Sequence, residues 1–412
     1  MPPPFAALAA NPLFTDPALD DAKVRAAMPR LLADCQAAGV SDLHLSAQAR
    51  PFVRHHGQIH YLTDRSLPAD VAEAANLALL DEEQFKELEE TSDLEIALAF
   101  GRSQRFRACI TVHKWGVAGS YRIVPNRVRP LEEIGYPDLE VLHRLLSYHN
   151  GLILVTGPVN SGKTATLAAM VAEVNRTRND HIITVEDPIE YVVTSDQCNV
   201  TQRQVGAHTK TFATALRAAL RQDPDVMAIG ELRDLETINI AVTAAETGHL
   251  VLGTMHTADA ASTLSRLLDV FPPSQQAQIR AIVSESLRGI LCQRLLPAVD
   301  GGVVLATEIL VANLAVGNLI RENKLQNLAS VMETGVRDGM QSMDSSVLAL
   351  FRAGRISQEV ALANLANRAL RALLENAASS ADEPGFTPDT AATDLPAEVP
   401  DAPAARKRFG LF

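Results

Sequence analysis

No apolar stretch in this chain approaches the roughly 20 residues needed to span a bilayer, so any membrane association is expected to be peripheral or through a partner. The N-terminus, Met1-Pro2-Pro3-Pro4, has neither the basic segment nor the apolar run of a signal peptide, and a cytoplasmic protein is expected. Cysteine is scarce and scattered: Cys35, Cys109, Cys198 and Cys292 lie far apart with no CxxC pair. Neither a zinc ribbon nor a disulfide framework is expected, and reduced thiols fit the cytoplasm. Positive charge is in deficit. A formal net charge of −12 and the lack of an aromatic-basic groove weigh against a nucleic-acid surface, so no direct nucleic-acid partner is expected.

What is present is ordinary globular material. Over 412 residues the chain is 47% hydrophobic and 21% charged, enough for two domains with cores of their own. Residues 1–20 are Pro- and Ala-rich and are expected to be flexible. From Asp21 a helical pattern carries Val24, Met28, Leu31 and Leu32. Ser41–Leu45 alternates like a strand, and Phe52–Arg54 and Gln58–Leu62 flank a hairpin signal at His56-Gly57. Helices over Ala72–Leu80 and Glu82–Leu88 precede strands over Asp93–Phe100, Arg105–His113 and Gly119–Ile123. Residues 21–124 therefore read as an α+β domain, and the Pro- and Gly-bearing stretch 125–137 as a linker.

After the linker the rhythm changes. Helices over Leu139–Ser147, Thr164–Val174, Phe212–Arg221 and Leu235–Glu246 alternate with strands over Gly151–Thr156, His181–Val185, Val226–Ile229 and His249–Thr254. Such alternation predicts an α/β fold with a mostly parallel sheet covered on both faces. Further helices are expected to about Leu374, giving a second domain over 138–374. Residues 375–412 are Ala-, Pro- and acid-rich and are expected to be disordered. Their basic-aromatic end, Arg406–Phe412, reads either as a solvated tail or as a docking peptide.

The chemistry is concentrated in the second domain. Gly157-Pro158-Val159-Asn160-Ser161-Gly162-Lys163-Thr164 is GxxxxGKT between a predicted strand and a predicted helix, the context a phosphate loop requires. Glycines let successive N–H groups turn inward on phosphate oxygens, and the helix start adds its positive end. Lys163 would set its charge on the β- and γ-phosphates, and the Thr164 hydroxyl is a ligand for Mg²⁺. The cofactors expected are ATP and Mg²⁺.

Two acidic clusters sit at the ends of predicted strands, where open α/β sheets bind ligands. One is Ile183–Glu190 with Glu186; the other is Asp225–Glu231, in which Gly230 precedes Glu231. Hydrolysis needs a carboxylate to orient water and groups to hold the metal. Glu186 and Glu231 are the candidates, and the residues leave open which is the base and which serves the metal. In Thr247–Thr257, His249 begins a strand and His256 ends it. His256, at the nucleotide end, is read as a γ-phosphate sensor and His249 as structural or intersubunit.

These motifs together resemble the secretion-type hexameric ATPases and, within them, the type IV pilus retraction ATPases of the PilT/PilU branch. The likeness runs from about residue 21 to 370. It rests on the phosphate loop, ITVEDPIEY over Ile183–Tyr191, DVMAIGELRD over Asp225–Asp234, the histidine-bearing Thr247–Thr257, Gln202–Gly206, and ALRAALRQDP over Ala215–Pro224. The resemblance implies a RecA-like ATPase domain behind a PAS-like N-terminal domain, in a homohexamer with ATP at subunit interfaces. Arg107 and Arg122 stand where the family's phosphate-reaching arginines stand, and a guanidinium there would offset charge on the γ-phosphate in the transition state. It also implies a motor for pilus retraction and twitching motility, with DNA uptake a role the family sometimes serves. Its place would be the cytoplasmic side of the inner membrane at the pilus base, against a platform protein. Other retraction ATPase subunits are further partners. An accessory retraction paralogue and a structural ring subunit with little turnover are the alternatives. The four-cysteine zinc insert and longer N-terminal domain usual in the extension ATPases are missing, which favours the retraction branch. One departure stands out: where the branch carries a helix close to AIRNLIRE, this chain has Ala315–Glu322 with glycine at 317, which removes a charge and costs about 1 kcal/mol in a helix.

Overall fold

The computed structural model describes residues 5–16, 20–55, 58–101, 104–124 and 127–381. They divide into two compact units: Met1–Arg129 with Val185–Asp196 and Val200–Lys210, and Pro130–Thr184 with Gln197–Asn199 and Thr211–Phe412. The main division falls between Arg129 and Pro130, inside the stretch expected as a linker. Two segments beyond Thr184 nonetheless belong to the first unit, an excursion that the linear reading of the domains did not include.

The first unit is α+β. Residues 5–16, expected to be flexible, instead form the short helices α1 (Ala6–Ala9) and α2 (Pro12–Thr15). Leu8 and Leu13 are the reason, since both are buried in the core of this unit. Asn11 fixes the turn between them: its side chain accepts from the Leu13 N–H at 3.0 Å and donates to the Ala27 carbonyl at 3.3 Å. Helix α3 (Asp21–Ala37) is capped by Asp20, which accepts from the Lys23 N–H. Its apolar positions Val24, Met28, Leu31, Leu32 and Cys35 recur at three- and four-residue steps and bury one stripe.

The strands of this unit are β1 (Asp42–Ser46), β2 (Phe52–His55), β3 (Gln58–Tyr61), β4 (Asp93–Phe100), β5 (Gln104–His113) and β6 (Gly116–Val124). They form one antiparallel sheet in the order β3-β2-β1-β6-β5-β4. Helix α4 (Ala69–Leu77) packs on β1 and β6, and α5 (Glu82–Thr91) follows with a capping box between Asp81 and Gln84. Buried Tyr121 donates its hydroxyl to Asn76 at 2.8 Å, and Asn76 donates to the Leu45 carbonyl, so the polar groups inside this core are paired. The hairpin between β2 and β3 is present; its His56-Gly57 tip lies outside the described residues.

The second unit begins with α6 (Leu131–Ile134) and α7 (Leu139–Leu146). Leu131 and Tyr136 are buried, so this half of the expected linker belongs to the core. The α/β succession then runs β7 (Gly151–Thr156), α8 (Lys163–Thr177), β8 (His181–Glu186), β9 (Asn199–Gln204), α9 (Phe212–Ala219), β10 (Val226–Ile229), α10 (Leu235–Glu246), β11 (Leu250–Met255), α11 (Ala260–Asp269) and α12 (Pro273–Ser286). Every residue of β7, β10 and β11 is buried, as for strands covered on both faces.

The expectation that only helices follow β11 is wrong. A long hairpin, β12 (Leu287–Pro297) and β13 (Val303–Val311), turns at Gly301 and Gly302, both at positive φ. The sheet order is β13-β12-β7-β11-β10-β8-β9, with β12 parallel to β7 and β13 antiparallel at the edge. Helices α13 (Leu314–Arg321), α14 (Leu328–Thr334), α15 (Met343–Arg352), α16 (Gln358–Asn364) and α17 (Arg368–Ala381) complete it. A separate apolar cluster joins Leu296 and Ala306 of the hairpin to α15, α16 and α17. Helix α17 runs seven residues past Leu374, so the first part of the expected tail is helical; residues 382–412 lie outside the described residues. Among the described residues no helix is long and apolar enough to cross a membrane.

Candidate nucleotide site

Strand β7 ends at Thr156 and α8 begins at Lys163, so Gly157–Gly162 is a tight loop at the carboxyl edge of the sheet. Gly157 (φ +149°), Asn160 (φ +65°) and Gly162 (φ +88°) take the backbone through conformations L side chains rarely adopt. Gly157 is also confined: a Cβ there would lie 2.4 Å from the Gln293 carbonyl oxygen and 2.5 Å from Ser161 Oγ. The loop is a cradle that a side chain would fill.

Lys163 is buried, and its ammonium donates to the Gly157 and Pro158 carbonyls at 2.9 and 2.8 Å. Burial pulls its pKa down, and the nearby Glu231 carboxylate opposes that shift. Ser161 is buried and its hydroxyl has no partner among the described residues. An orphaned hydroxyl and a lysine resting on loop carbonyls fit a bound phosphate, which would take both. Thr164, half-buried in the first turn of α8, is the ligand available for Mg²⁺. Pro158 and Val159 are exposed at the loop tip.

Strands β10 and β11 are parallel neighbours, with Ile229 opposite Gly253. They deliver Glu231 and His256 to the same edge, with Glu231 Oε1 3.6 Å from His256 Nε2. That is an electrostatic contact rather than a hydrogen bond. Burial lowers the pKa of His256, Lys163 lowers it further, and Glu231 opposes both, with a net shift that favours the neutral imidazole. The Thr254 hydroxyl donates to the Gly230 carbonyl and the Leu232 N–H donates to the Thr254 carbonyl, tying the two strand ends together. Gly253 makes room for this, because a Cβ there would lie 2.7 Å from Leu232 Cδ1.

The other sequence candidates sit elsewhere. Glu186 ends β8, and its carboxylate accepts from Gln202 Nε2 at 2.9 Å. His249 precedes β11 and caps α10 through Nδ1 on the Ala244 carbonyl at 3.0 Å, a structural task at the far end of the strand. Arg107 pairs with Glu95 at 2.9 Å and stands 3.8 Å from Glu190. Arg122 pairs with Asp42 at 3.0 Å. The phosphate-loop lysine, Glu231 and His256 are thus brought together, while both arginines are held in ion pairs of the first unit.

Two residues beside the site were absent from the sequence reading. Gln293 on β12 sets its carbonyl against Gly157 and donates Nε2 to Thr166 Oγ1 of α8 at 2.8 Å. Glu308 on β13 accepts from the Ala260 N–H of α11 at 2.8 Å. Both lie in the hairpin mistaken for helix, and no motif marks either one.

Residues 18–343 match the family described as type II/IV secretion system protein. The chain is 42% identical over 329 residues to the type IV pilus retraction ATPase PilT of Pseudomonas aeruginosa, covering 80% of this chain and 95% of that protein. It is 33% identical over 372 residues to the type IV pilus ATPase PilU of the same organism, covering 90% and 96%. Among solved structures, the pilus retraction motor PilT with bound ADP superposes with a TM-score of 0.75 at 43% identity, covering 83% of this chain and 97% of that one.

Proposed function

The chain belongs to the type II/IV secretion system protein family and is an ATP-hydrolysing enzyme of the type IV pilus retraction kind, and we propose that it works as a Mg²⁺-dependent homohexameric motor at the cytoplasmic base of a pilus. There it would act against an inner-membrane platform protein, alone or with other retraction ATPase subunits, and drive twitching motility. The observation that carries the chemistry is the convergence of Lys163, Glu231 and His256 on adjacent strand ends.

Lys163 leaves the loop carbonyls for the β- and γ-phosphates, and backbone N–H groups of the loop and of the start of α8 hold the phosphate chain. Mg²⁺, held by Thr164 with Glu231 in its shell, would neutralise charge between the β- and γ-phosphates. Glu231 orients the attacking water and takes its proton. Neutral His256 offers one N–H to a γ-phosphate oxygen and so registers whether that phosphate is present. Glu186, whose carboxylate accepts from Gln202, is the alternative base. Arg107 and Arg122 supply the positive charge for the transition state, which requires them to exchange their carboxylate partners for phosphate.

Steady-state ATPase of the purified full chain, with Mg²⁺ and with chelator, tests this reading. Turnover that needs Mg²⁺ and vanishes in Lys163→Ala is the expected result; equal turnover in that variant would remove the phosphate-loop assignment. The second reading is an accessory motor beside a principal one. Deletion of the gene separates the two: hyperpiliated, non-motile cells mark the principal motor, and ordinary piliation the accessory one.

A further inference from the structure

Glu308 is an acid that the chemistry above does not use, yet it sits at a junction. It lies on β13 opposite Cys292 of β12, and Cys292 lies opposite Thr156, the last residue of β7 before the phosphate loop. Its carboxylate accepts from the Ala260 N–H at 2.8 Å. Ala260 is the first residue of α11. The carboxylate therefore receives an opening N–H group that has no intrahelical acceptor, and its charge suits the positive end of that helix.

Helix α11 leads directly to His256. Its Thr263 hydroxyl meets the Thr257 hydroxyl at 2.6 Å, and Thr257 is buried next to His256 in sequence. Asp259 caps the same helix by accepting from the Ser262 N–H at 2.7 Å. The turn between β11 and α11 is thus pinned by the sheet at one end and by α11 at the other, and Glu308 ties the first residue of α11 to the sheet.

We propose that Glu308 is a positioning residue for hydrolysis: by holding the first turn of α11 to β13, it sets where His256 stands relative to Glu231 and the γ-phosphate. This rests on the reading of His256 as the γ-phosphate contact. It links the edge strand β13 to the step at which that phosphate is sensed.

The test uses the full-length protein, steady-state kcat and KM for ATP, and equilibrium binding of a fluorescent ADP analogue. Glu308→Ala should lower kcat by about tenfold to a hundredfold, as for a misplacement of about 1 Å, with ADP affinity within about twofold of wild type. Glu308→Gln, which keeps an acceptor oxygen, should recover most of kcat. In a His256→Ala background Glu308→Ala should add no further loss, because the two act through one group. Ala260→Pro is an independent variant. It deletes the donor at a position where proline suits a helix, after an Asp259 already extended at φ −150° and ψ 168°. It should reproduce the kcat loss, and it carries the test if Glu308→Ala does not fold. Wild-type kcat in Ala260→Pro, or a loss in Glu308→Ala that multiplies with His256→Ala or comes with weakened ADP binding, overturns the proposal. Wild-type kcat in His256→Ala alone instead overturns the underlying reading of His256.

Discussion

Glu231 and His256 face each other across the ends of β10 and β11, 3.6 Å apart, with the lysine of the phosphate loop close enough to perturb the imidazole. Each side chain answers a different need. The carboxylate is an acceptor for the water's proton, the neutral imidazole a donor, and the ammonium a fixed positive charge. Removing one should therefore damage one step rather than all.

Glu231→Ala should bind ATP as the parent does and lower kcat by about two decades or more, because it deletes a group used mainly in the transition state. Single-turnover kinetics beside equilibrium binding of a fluorescent ATP analogue would separate the two effects. Near-normal kcat would take Glu231 out of the chemistry and leave Glu186 as the base.

Arg107→Ala and Arg122→Ala should each stay folded and lose most turnover. The ion pairs they give up are partly exposed, with side chains 33% and 53% accessible, and such pairs contribute little to stability. If the arginines serve a neighbouring subunit, mixing either variant with Lys163→Ala protein should restore part of the activity. The ATPase rate against mixing ratio reads this out; full activity in both single variants would end the charge-donor role.

Gly317 has a packing reason that its sequence context did not reveal. It is buried in α13, and a Cβ there would lie 3.1 Å from the Ser284 backbone oxygen of α12. Restoring the branch's arginine with Gly317→Arg should cost about 1–3 kcal/mol, because the gain in helix propensity is smaller than the cost of forcing the helices apart. The shift in urea midpoint measures it. A midpoint at or above the parent's would mean that α12 gives way freely.

Burial raises the pKa of Glu308 above its ordinary value, more than its donors lower it. Below the unfolded-state value near 4.5 the acid is protonated in both states and costs nothing. Above the folded-state value it is charged in both, and the full burial cost is carried. Glu308→Gln escapes that cost. Its stability relative to the parent should therefore be highest at neutral pH and fall as pH drops toward 4.5, as followed by denaturant midpoints across that range. A relative stability that rises on acidification would mean the carboxylate is a net stabiliser.

The parts legible in the sequence were those where a short, strong pattern meets hard punctuation. Strand β7 carries the apolar run Leu152–Val155 and ends in a glycine loop, and α10 lies between Asp234 and a Thr-Gly pair; both were placed to the residue. The phosphate loop, Glu231 and His256 followed from motif and strand end. Strand β12 was hidden because Gly289–Gln293 is buried on both faces, and periodicity alone does not separate a doubly buried strand from a buried helix. The Asp300-Gly301-Gly302 turn was the available hairpin signal. Glu308 and Gln293 were invisible for a different reason: each acts on partners more than forty residues away, Ala260 and Thr166, and only the register of the hairpin brings them there.

The position of β7 has a consequence for how the chain comes off the ribosome. Its two neighbours in the sheet, β11 and β12, begin 99 and 136 residues after Gly151. During synthesis this strand, with its apolar run Leu152–Val155, waits with both hydrogen-bonding edges bare until β11 has been made and with one bare until β12 has. Long-range parallel pairing is slow, and unpaired apolar edges associate with one another. The nascent polypeptide is thus most vulnerable to aggregation in the interval between its phosphate loop and His256, and co-translational chaperone occupancy should peak there.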